Sequence, residues 1–337
     1  MRRRGVLAVL CGSAAIASGL AAAQAIPTKA VPGRTYRLAV VHPTLPATAI
    51  AKSSIYAPMF DALKDLGYLE GQNLIVEPYS AEGYPDRYGD VARDVVRRSP
   101  DAIHATLNNI VHEFQKLTTT IPIVGAVGDP IALGTVTSMS RPGGNFTGVS
   151  TSAGLVIWGK RFQLLKEIVP GATRFAYFCT VLEWDSAAFQ PRREMFRQLG
   201  GDLVGPWVAN WSEEEVRRGL TALVTARPDG VVITDAGSVL PRIGLIGAHL
   251  NEHQLPAIYP WPRIAHSGGL IAYGNSASEW GRDSAERIHR VLNGIPAGEI
   301  PIAQPTKFEL IVNLKTARAI GVEIPPSLLA SADEVIE

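Results

Sequence analysis

The chain has 337 residues, 46% of them in the set AVILMFWYC, enough for about two domains with sizeable cores, which excludes disordered and fibrous classes. Lys and Arg number 32 against 31 Asp and Glu, a net charge of +1, and the longest basic block is Arg2-Arg3-Arg4, so no phosphate-tracking surface is present and nucleic acid is not a partner. The two cysteines, Cys11 and Cys179, are far apart, and the first lies in a segment read below as removed, so a disulfide framework or a cysteine-built zinc site is excluded within one chain.

Residues 1–25 combine a positive start, an apolar stretch from Val6 to Leu20 and small residues ending at Ala23 and Ala25, the layout of a secretory signal peptide cleaved after one of those two alanines. Gly12, Ser13, Ser18 and Gly19 dilute the apolar run, which is too short to span a membrane. Leu10 before Cys11 argues against a lipid anchor, while Arg3-Arg4 leaves both the general and the twin-arginine export routes open. Cleavage would remove three arginines and no acid, turning the net charge of +1 into −2. The expected product is an exported, periplasmic protein that begins with a leader over residues 26–35.

From Tyr36 onward, short β-branched apolar runs alternate with longer amphipathic stretches, the pattern of a parallel sheet crossed through helices. Strands are expected at Tyr36–Val41, Leu74–Val76, Asp101–Thr106, Ile121–Val127 and Phe146–Ser150. Helices are expected at Ile55–Leu66, closed by Gly67, and at Asp86–Arg98, Ile110–Leu117 and Ile131–Ser140. Arg141-Pro142-Gly143-Gly144-Asn145 then breaks the pattern.

A second series follows. Helices are predicted at Val156–Val169, Ser186–Leu199, Ser212–Ala226 and Val239–His253, the third opened by Ser212-Glu213-Glu214-Glu215 as a variant capping box. Strands are predicted at Arg174–Phe178, Asp202–Val208, Gly230–Thr234 and Ala257–Tyr259. The tail adds a strand at Gly269–Tyr273, a helix at Glu279–Leu292, a strand at Phe308–Val312 and a short helix at Leu314–Ile320. Two series of similar size, split by a composition break, predict an α/β protein of two Rossmann-like lobes rather than an eight-stranded barrel. The expected division is an N-terminal lobe over residues 36–148, completed by about 275–303, and a C-terminal lobe over 151–272, with the tail 306–337 packing across or near the hinge. Such repeated crossing between lobes makes a hinge.

Neither G-x-G-x-x-G after a strand nor a P-loop occurs, and there is no G-x-S-x-G elbow, so nucleotide and α/β-hydrolase chemistry lack their loops. His249-Leu250-Asn251-Glu252-His253 matches H-x-x-E-H and could place two imidazoles on one helical face, but it also reads as the polar end of a helix on the outside of a lobe, with no third ligand evident. No metal, cofactor or catalytic residue is therefore assigned. Ligands in open α/β sheets bind outside the carboxyl ends of the strands. That rule collects Thr44, Asn108, Asn109, Asp129, Ser150, Thr180, Glu183, Trp184, Asp235, Tyr259 and Trp261 as candidate ligand contacts. Asp129 before Pro130 also suits a cap, and Trp184 and Trp261 also suit the edge of a core. Cys179 continues an apolar strand and reads as a buried small hydrophobe, and His42, His104, His112 and His266 read as structural.

Several longer segments carry a resemblance: Gly67-Tyr68-Leu69-Glu70-Gly71-Gln72-Asn73, Ile121-Pro122-Ile123-Val124 with Gly128-Asp129-Pro130, and Ser140-Arg141-Pro142-Gly143-Gly144-Asn145-Phe146-Thr147-Gly148. To these are added Leu255-Pro256-Ala257-Ile258-Tyr259, Gly268-Gly269-Leu270-Ile271-Ala272-Tyr273-Gly274 and Gln304-Pro305-Thr306-Lys307-Phe308. Over almost all of the mature chain the sequence resembles the ABC-transporter substrate-binding proteins of type I periplasmic binding protein fold, in the branch that includes tryptophan and other aromatic-amino-acid binders. The resemblance implies a monomeric, non-catalytic receptor that closes two lobes on an amino acid or small aromatic carboxylate and delivers it to an inner-membrane permease. Where that branch has an Asn-Pro turn after the strand Phe175–Phe178, this chain has Cys179-Thr180-Val181-Leu182-Glu183-Trp184, a departure at the ligand-facing rim. Two rival readings remain at this stage, a ligand-sensing module for a membrane signalling protein and an exported metal-dependent hydrolase built on His249 and His253.

Overall fold

A computed structural model describes residues 28–337 apart from Ala153. The expected signal sequence, residues 1–25, lies outside the described residues. The described part of the leader is tied down, with Ala30 N–H donating to the Leu66 carbonyl at 2.8 Å.

The first lobe runs β1 (Tyr36–His42), α1 (Ala47–Ile50), α2 (Ala57–Asp65), β2 (Leu74–Ser80), α3 (Tyr88–Arg98), β3 (Ala102–Thr106), α4 (Asn108–Leu117), β4 (Ile123–Val127) and β5 (Phe146–Ser150). Its five strands are all parallel in the order β2-β1-β3-β4-β5. The second lobe continues with α5 (Leu155–Ile168), β6 (Arg174–Phe178), α6 (Val181–Trp184), α7 (Gln190–Gln198), β7 (Asp202–Val204), α8 (Glu213–Ala226), β8 (Gly230–Ile233), α9 (Ile243–Glu252), β9 (Ala257–Tyr259), α10 (Arg263–His266) and β10 (Ile271–Asn275). The chain then gives α11 (Ala277–Leu292), β11 (Phe308–Asn313), α12 (Leu314–Ile320), α13 (Pro326–Ser331) and β12 (Glu334–Ile336). The second sheet is ordered β12-β11-β10-β9-β8-β6-β7, with β11 antiparallel to β10.

Both sheets are covered on both faces, which is why their strands read as near-continuous apolar runs. In the first lobe, α2 and α11 enclose a core built on Leu38, Met59, Leu63, Ile288 and Leu292. On the opposite face, α3 and α4 cover Val41, Ile103, Val95 and Phe114. In the second lobe, α5, α7 and α12 bury Trp158, Phe162, Phe175 and Phe196, while α8 and α9 bury Leu220, Ile233, Ile246 and Tyr259. Helix α11 thus packs in the first lobe although it follows β10, and residues 308–337 return to the second sheet.

Three segments therefore cross between the lobes. The first leaves β5 at Ser150, the second runs from Asn275 into α11, and the third enters β11 through residues 303–308. They lie side by side: Ser150 N–H donates to the Ala303 carbonyl at 2.8 Å, Asn275 Nδ2 donates to the Thr151 carbonyl at 2.7 Å, and Ser276 N–H donates to the Lys307 carbonyl at 3.1 Å. The Glu279 carboxylate accepts from the N–H groups of Thr306 and Lys307 at 3.0 and 2.9 Å, which fixes the start of α11 to the third crossing.

Just before the first crossing, the backbone of β5 lies against β4 so closely that a Cβ on Gly148 would stand 1.9 Å from the Gly125 carbonyl oxygen. No rotamer relieves a backbone clash. Gly148→Ala is expected to lower stability by about 1–3 kcal/mol, read as a shifted urea midpoint at unchanged slope. An unchanged midpoint would show that the two strands separate at little cost.

Three expected elements differ. Residues 131–140 form turns instead of a helix, because Pro130 starts a tight turn, Gly134 adopts φ +70°, and the Thr/Val/Ser-rich remainder is a poor helix former. The expected helix Val239–His253 is split into a 3₁₀ turn, Gly237–Arg242, containing Pro241, and the α-helix α9. The strand expected to reach Val208 stops at Val204, and Val208 makes only an isolated bridge to Thr180.

Candidate functional site

Strand order reverses between β1 and β3 in the first lobe and between β6 and β8 in the second, and the three crossings bring these carboxyl edges face to face. This is where loops diverge to leave a crevice. Beside the crossings lies a cavity of about 650 Å³. The first lobe contributes Asp129, Ile131 and Met139, and the second contributes Val156, Ile157 and Lys160 from the first two turns of α5. Tyr273 and Phe308, whose rings stack at 5.8 Å, line it from the crossing strands with Gln304.

The walls are mainly apolar with opposite charges on opposite lobes. Asp129 Oδ1 accepts from Ile131 N–H and Ala132 N–H at 3.1 and 3.0 Å and closes the turn after β4, leaving Oδ2 for other partners. Across the cavity, Lys160 stands one turn into α5. No side chain caps the start of this helix, so its first N–H groups add positive potential on the same side. Ile131 is half exposed and Val156 is 83% exposed, apolar surface left uncovered at the mouth.

A buried polar cluster supports the second lobe's rim. The Glu183 carboxylate accepts from Tyr177 Oη at 2.7 Å, from Thr234 Oγ1 at 2.8 Å and from Arg192 Nη1 at 3.3 Å. Burial raises the Glu183 carboxyl above its usual range in spite of these partners. Arg161 on α5 is 3% exposed; its Nε donates to the Tyr273 carbonyl at 2.8 Å, its Nη2 to the Pro260 carbonyl at 3.4 Å, and its Nη1 lies 3.7 Å from Asp235 Oδ2. This guanidinium joins α5, β10 and the ends of β8 and β9 beneath the cleft.

On the α2 side the lobes touch. Tyr56 meets His42, His104 and Trp280 at ring-centre distances of 5.8, 5.7 and 5.8 Å, and its hydroxyl pairs with Thr106 Oγ1 at 2.9 Å. Arg263, from α10 of the other lobe, is close enough for its charge to act on His42 and Tyr56. Leu107, held at the strained φ of +91°, reaches Gly237 of the second lobe, where a Cβ would stand 2.6 Å from Leu107 Cδ1.

The expected contacts are distributed unevenly. Asp129 and Ser150 line the cavity, and Asp235, Thr180 and Glu183 sit at the ends of β8 and β6. Thr44 follows β1, with its N–H bound to His42 Nδ1 at 3.0 Å. Asn109 is exposed in the first turn of α4. Four others are turned inward. Asn108 is buried and braces the wall, Nδ2 donating to Thr135 Oγ1 at 2.8 Å and Oδ1 accepting from Gly128 N–H at 2.9 Å. Tyr259 is 0% exposed in the core under α8 and α9. Trp184 packs on Phe189 at 5.0 Å with Arg193 over its face at 4.2 Å, and Trp261 packs against the same core as Tyr259. Aromatic residues at strand ends cover core edges here, because the large apolar ring gains more from packing than from solvent. The sequence reading missed Lys160, Val156, Tyr273 and Phe308. A usable signal was present: a helix that starts directly after a lobe crossing must present its first turns to the cleft.

His249, Glu252 and His253 do cluster, but on the last turn of α9. That helix follows β8 and runs back along the lobe, so its end lies at the pole remote from the cleft.

A family model described as ABC transporter substrate binding protein matches residues 47–336. A tyrosine-binding protein of Clostridioides difficile (strain R20291) is 25% identical over 264 residues, covering 78% of this chain and 75% of the relative. Among solved structures, a conserved domain protein from Vibrio cholerae is 23% identical with a TM-score of 0.79, covering 90% of this chain and 100% of that one. An ABC domain in complex with L-Trp from Streptococcus pneumonia is 19% identical with a TM-score of 0.77 over the same shares. Both structures have the two-lobed type I periplasmic binding protein fold.

Proposed function

Because this chain belongs to the ABC transporter substrate-binding protein family, whose members bind solutes and are not enzymes, we propose that it is an exported receptor that closes on an amino acid with an apolar or aromatic side chain and delivers it to an importer's permease. The observation that carries this reading is the cavity at the crossings, with an acid on one lobe, a lysine and a helix start on the other, and apolar walls between them. Asp129 suits an α-ammonium group, Lys160 and the first N–H groups of α5 suit an α-carboxylate, and Ile131, Met139, Tyr273 and Phe308 suit the side chain. Because the two charged groups belong to different lobes, a zwitterion bridges them and favours the closed state. The tyrosine-binding relative and the L-Trp complex agree with that ligand class. The Asn108 side chain, taken up by Thr135 and Gly128, supports the wall of this site instead of reaching the solute. Export with removal of residues 1–25 would place the receptor in the periplasm, acting as a monomer.

The test is thermal melting of residues 26–337 against amino acids, aromatic and aliphatic carboxylates, sugars and polyamines. A solute at about 100 times its dissociation constant adds roughly 2.7 kcal/mol, a rise of several degrees. Lys160→Gln is expected to weaken that solute by about tenfold or more, the worth of a charge-assisted hydrogen bond. A panel without any shift, or a sugar as the sole hit with Lys160→Gln unaffected, would overturn the amino-acid reading. Conversion of a hit into product would end the non-catalytic one.

A further inference from the structure

The C-terminal lobe carries a second cluster of donor groups, at the pole opposite the cleft and unused by solute binding. His249, Glu252 and His253 are spaced i, i+3 and i+4 at the end of α9, which places them on one face of its last turn. One donor atom from each lies within 4.8 Å of the other two. The two imidazole rings stand side by side with centres 4.4 Å apart. His249 is the fixed member: it is partly buried, and its Nε2 is turned into the protein, away from solvent. The Leu220 carbonyl of α8 is close enough to act on the ring, the kind of backbone oxygen that orients a metal-bound imidazole. Glu252 and His253 are exposed and free to turn.

We propose that His249, Glu252 and His253 form a binding site for a late first-row divalent cation, zinc in the first instance, held by two imidazoles and one carboxylate. Bonds of about 2.0–2.2 Å in tetrahedral geometry place donors about 3.4 Å apart, so the present spacing closes by small rotations of two exposed side chains. Two nitrogens and one oxygen suit zinc and its neighbours in the series, and disfavour calcium or magnesium, which take oxygen ligands. Arg217, the cation whose charge also reaches His249, is neutralised by Glu213 at 2.7 Å. Three protein ligands leave the fourth position to water or to a donor from another molecule. The ion would clamp the last turn of α9, where helix carbonyls lack partners within the helix. The distance from the cleft makes this site separate from solute binding and from any hydrolytic role there.

The experiment is calorimetric titration of the chelator-treated mature chain with zinc chloride, alongside His253→Ala, Glu252→Gln and the double variant His249→Ala/His253→Ala. The expected result is saturable binding whose stoichiometry falls by one, or whose affinity falls at least about tenfold, in His253→Ala, since even residues that only orient ligands contribute that much. Cobalt bound to the parent chain should show the intense visible bands of a low-coordinate site, lost in the double variant. His253 is exposed, so its removal leaves the fold intact, and an unchanged melt without zinc checks this. Absence of saturable binding, or binding unchanged in the double variant, would overturn the site. Solute-induced melting shifts should be the same in parent and variants, which keeps this result independent of the cleft.

Discussion

Acidification below pH 6.5 is expected to destabilise the folded chain, with a slope that rises towards a limit of about 2.7 kcal/mol per pH unit near pH 5, because two histidines are deeply buried in neutral form. Burial first, then the charges of Arg263 and His104, lower His42 from 6.5 to about 3. Its geometry agrees, since His42 Nδ1 accepts from the N–H groups of Thr44 and Leu45 at 3.0 and 2.8 Å and must stay unprotonated to do so. Burial alone lowers His104 to about 4; it is 0% exposed, and neither ring nitrogen has a protein partner. Both folded values lie below the unfolded one. The stability is therefore fully present above pH 6.5 and declines as the unfolded chain takes up two protons that the folded chain refuses. It is lost as the pH falls through about 4 for His104 and about 3 for His42. Glu183 and Asp283, both raised by burial, act in the opposite sense and offset part of the loss at the acid end. Urea midpoints at pH 7.5, 6 and 5 measure the slope. His104→Leu should remove one of the two protons and leave stability at pH 7.5 at least as high, because it deletes an unpaired buried polar group. A midpoint constant from pH 7.5 to 5, or the same slope in His104→Leu, would show that one ring or both are hydrated or paired when folded.

Arg161→Ala is expected to cost about 3 kcal/mol and to abolish solute binding at ordinary concentrations. The guanidinium is bonded to both the Tyr273 and Pro260 carbonyls, and it stands 3.7 Å from Asp235. Its removal strands the buried Pro260 carbonyl and the part-buried Tyr273 carbonyl and takes away the charge facing a partly buried carboxylate, each a loss of up to about 1–3 kcal/mol when unmet. Trp158 also loses the cation over its ring at 4.8 Å. Arg161→Met separates the contributions. It keeps much of the volume, so stability should recover partly, whereas binding should not, because α5 would still lack its anchor to β10 and Lys160 would lose its placement across from Asp129. Stability restored together with binding would make Arg161 a space-filler. A normal melt and normal binding in Arg161→Ala would remove the anchor from the account of closure.

Most of the framework could be read in the residues because parallel α/β units obey local rules. A strand such as Phe175–Phe178 is apolar on both faces since helices cover both, and Gly67 and Gly321 end helices with positive φ, +87° and +73°, that few other residues adopt. Failures came where local preference was weak or divided. The segment 131–140 kept an apolar spacing yet formed turns around Pro130 and Gly134.

The site was less legible, for a different reason. The rule that ligands lie beyond strand ends points to Asp129 and Ser150, which line the cavity, and to Asp235 at the end of β8, but it cannot tell rim from core edge. Tyr259 and Asn108 satisfy the same rule and face inward. Lys160 and Phe308 reach the cavity from a helix and a strand that belong to the other lobe.

The sequence by itself determined the α/β class, the two lobes, the repeated crossing between them and the family resemblance, because periodicity, caps and turn residues act over a few positions. Only the tertiary structure decided which charges oppose each other across the cavity and that Arg161 ties α5 to β10. Those outcomes depend on how three crossings, at Ser150, Asn275 and Ala303, bring residues more than a hundred positions apart within bonding distance, and no local pattern encodes that pairing.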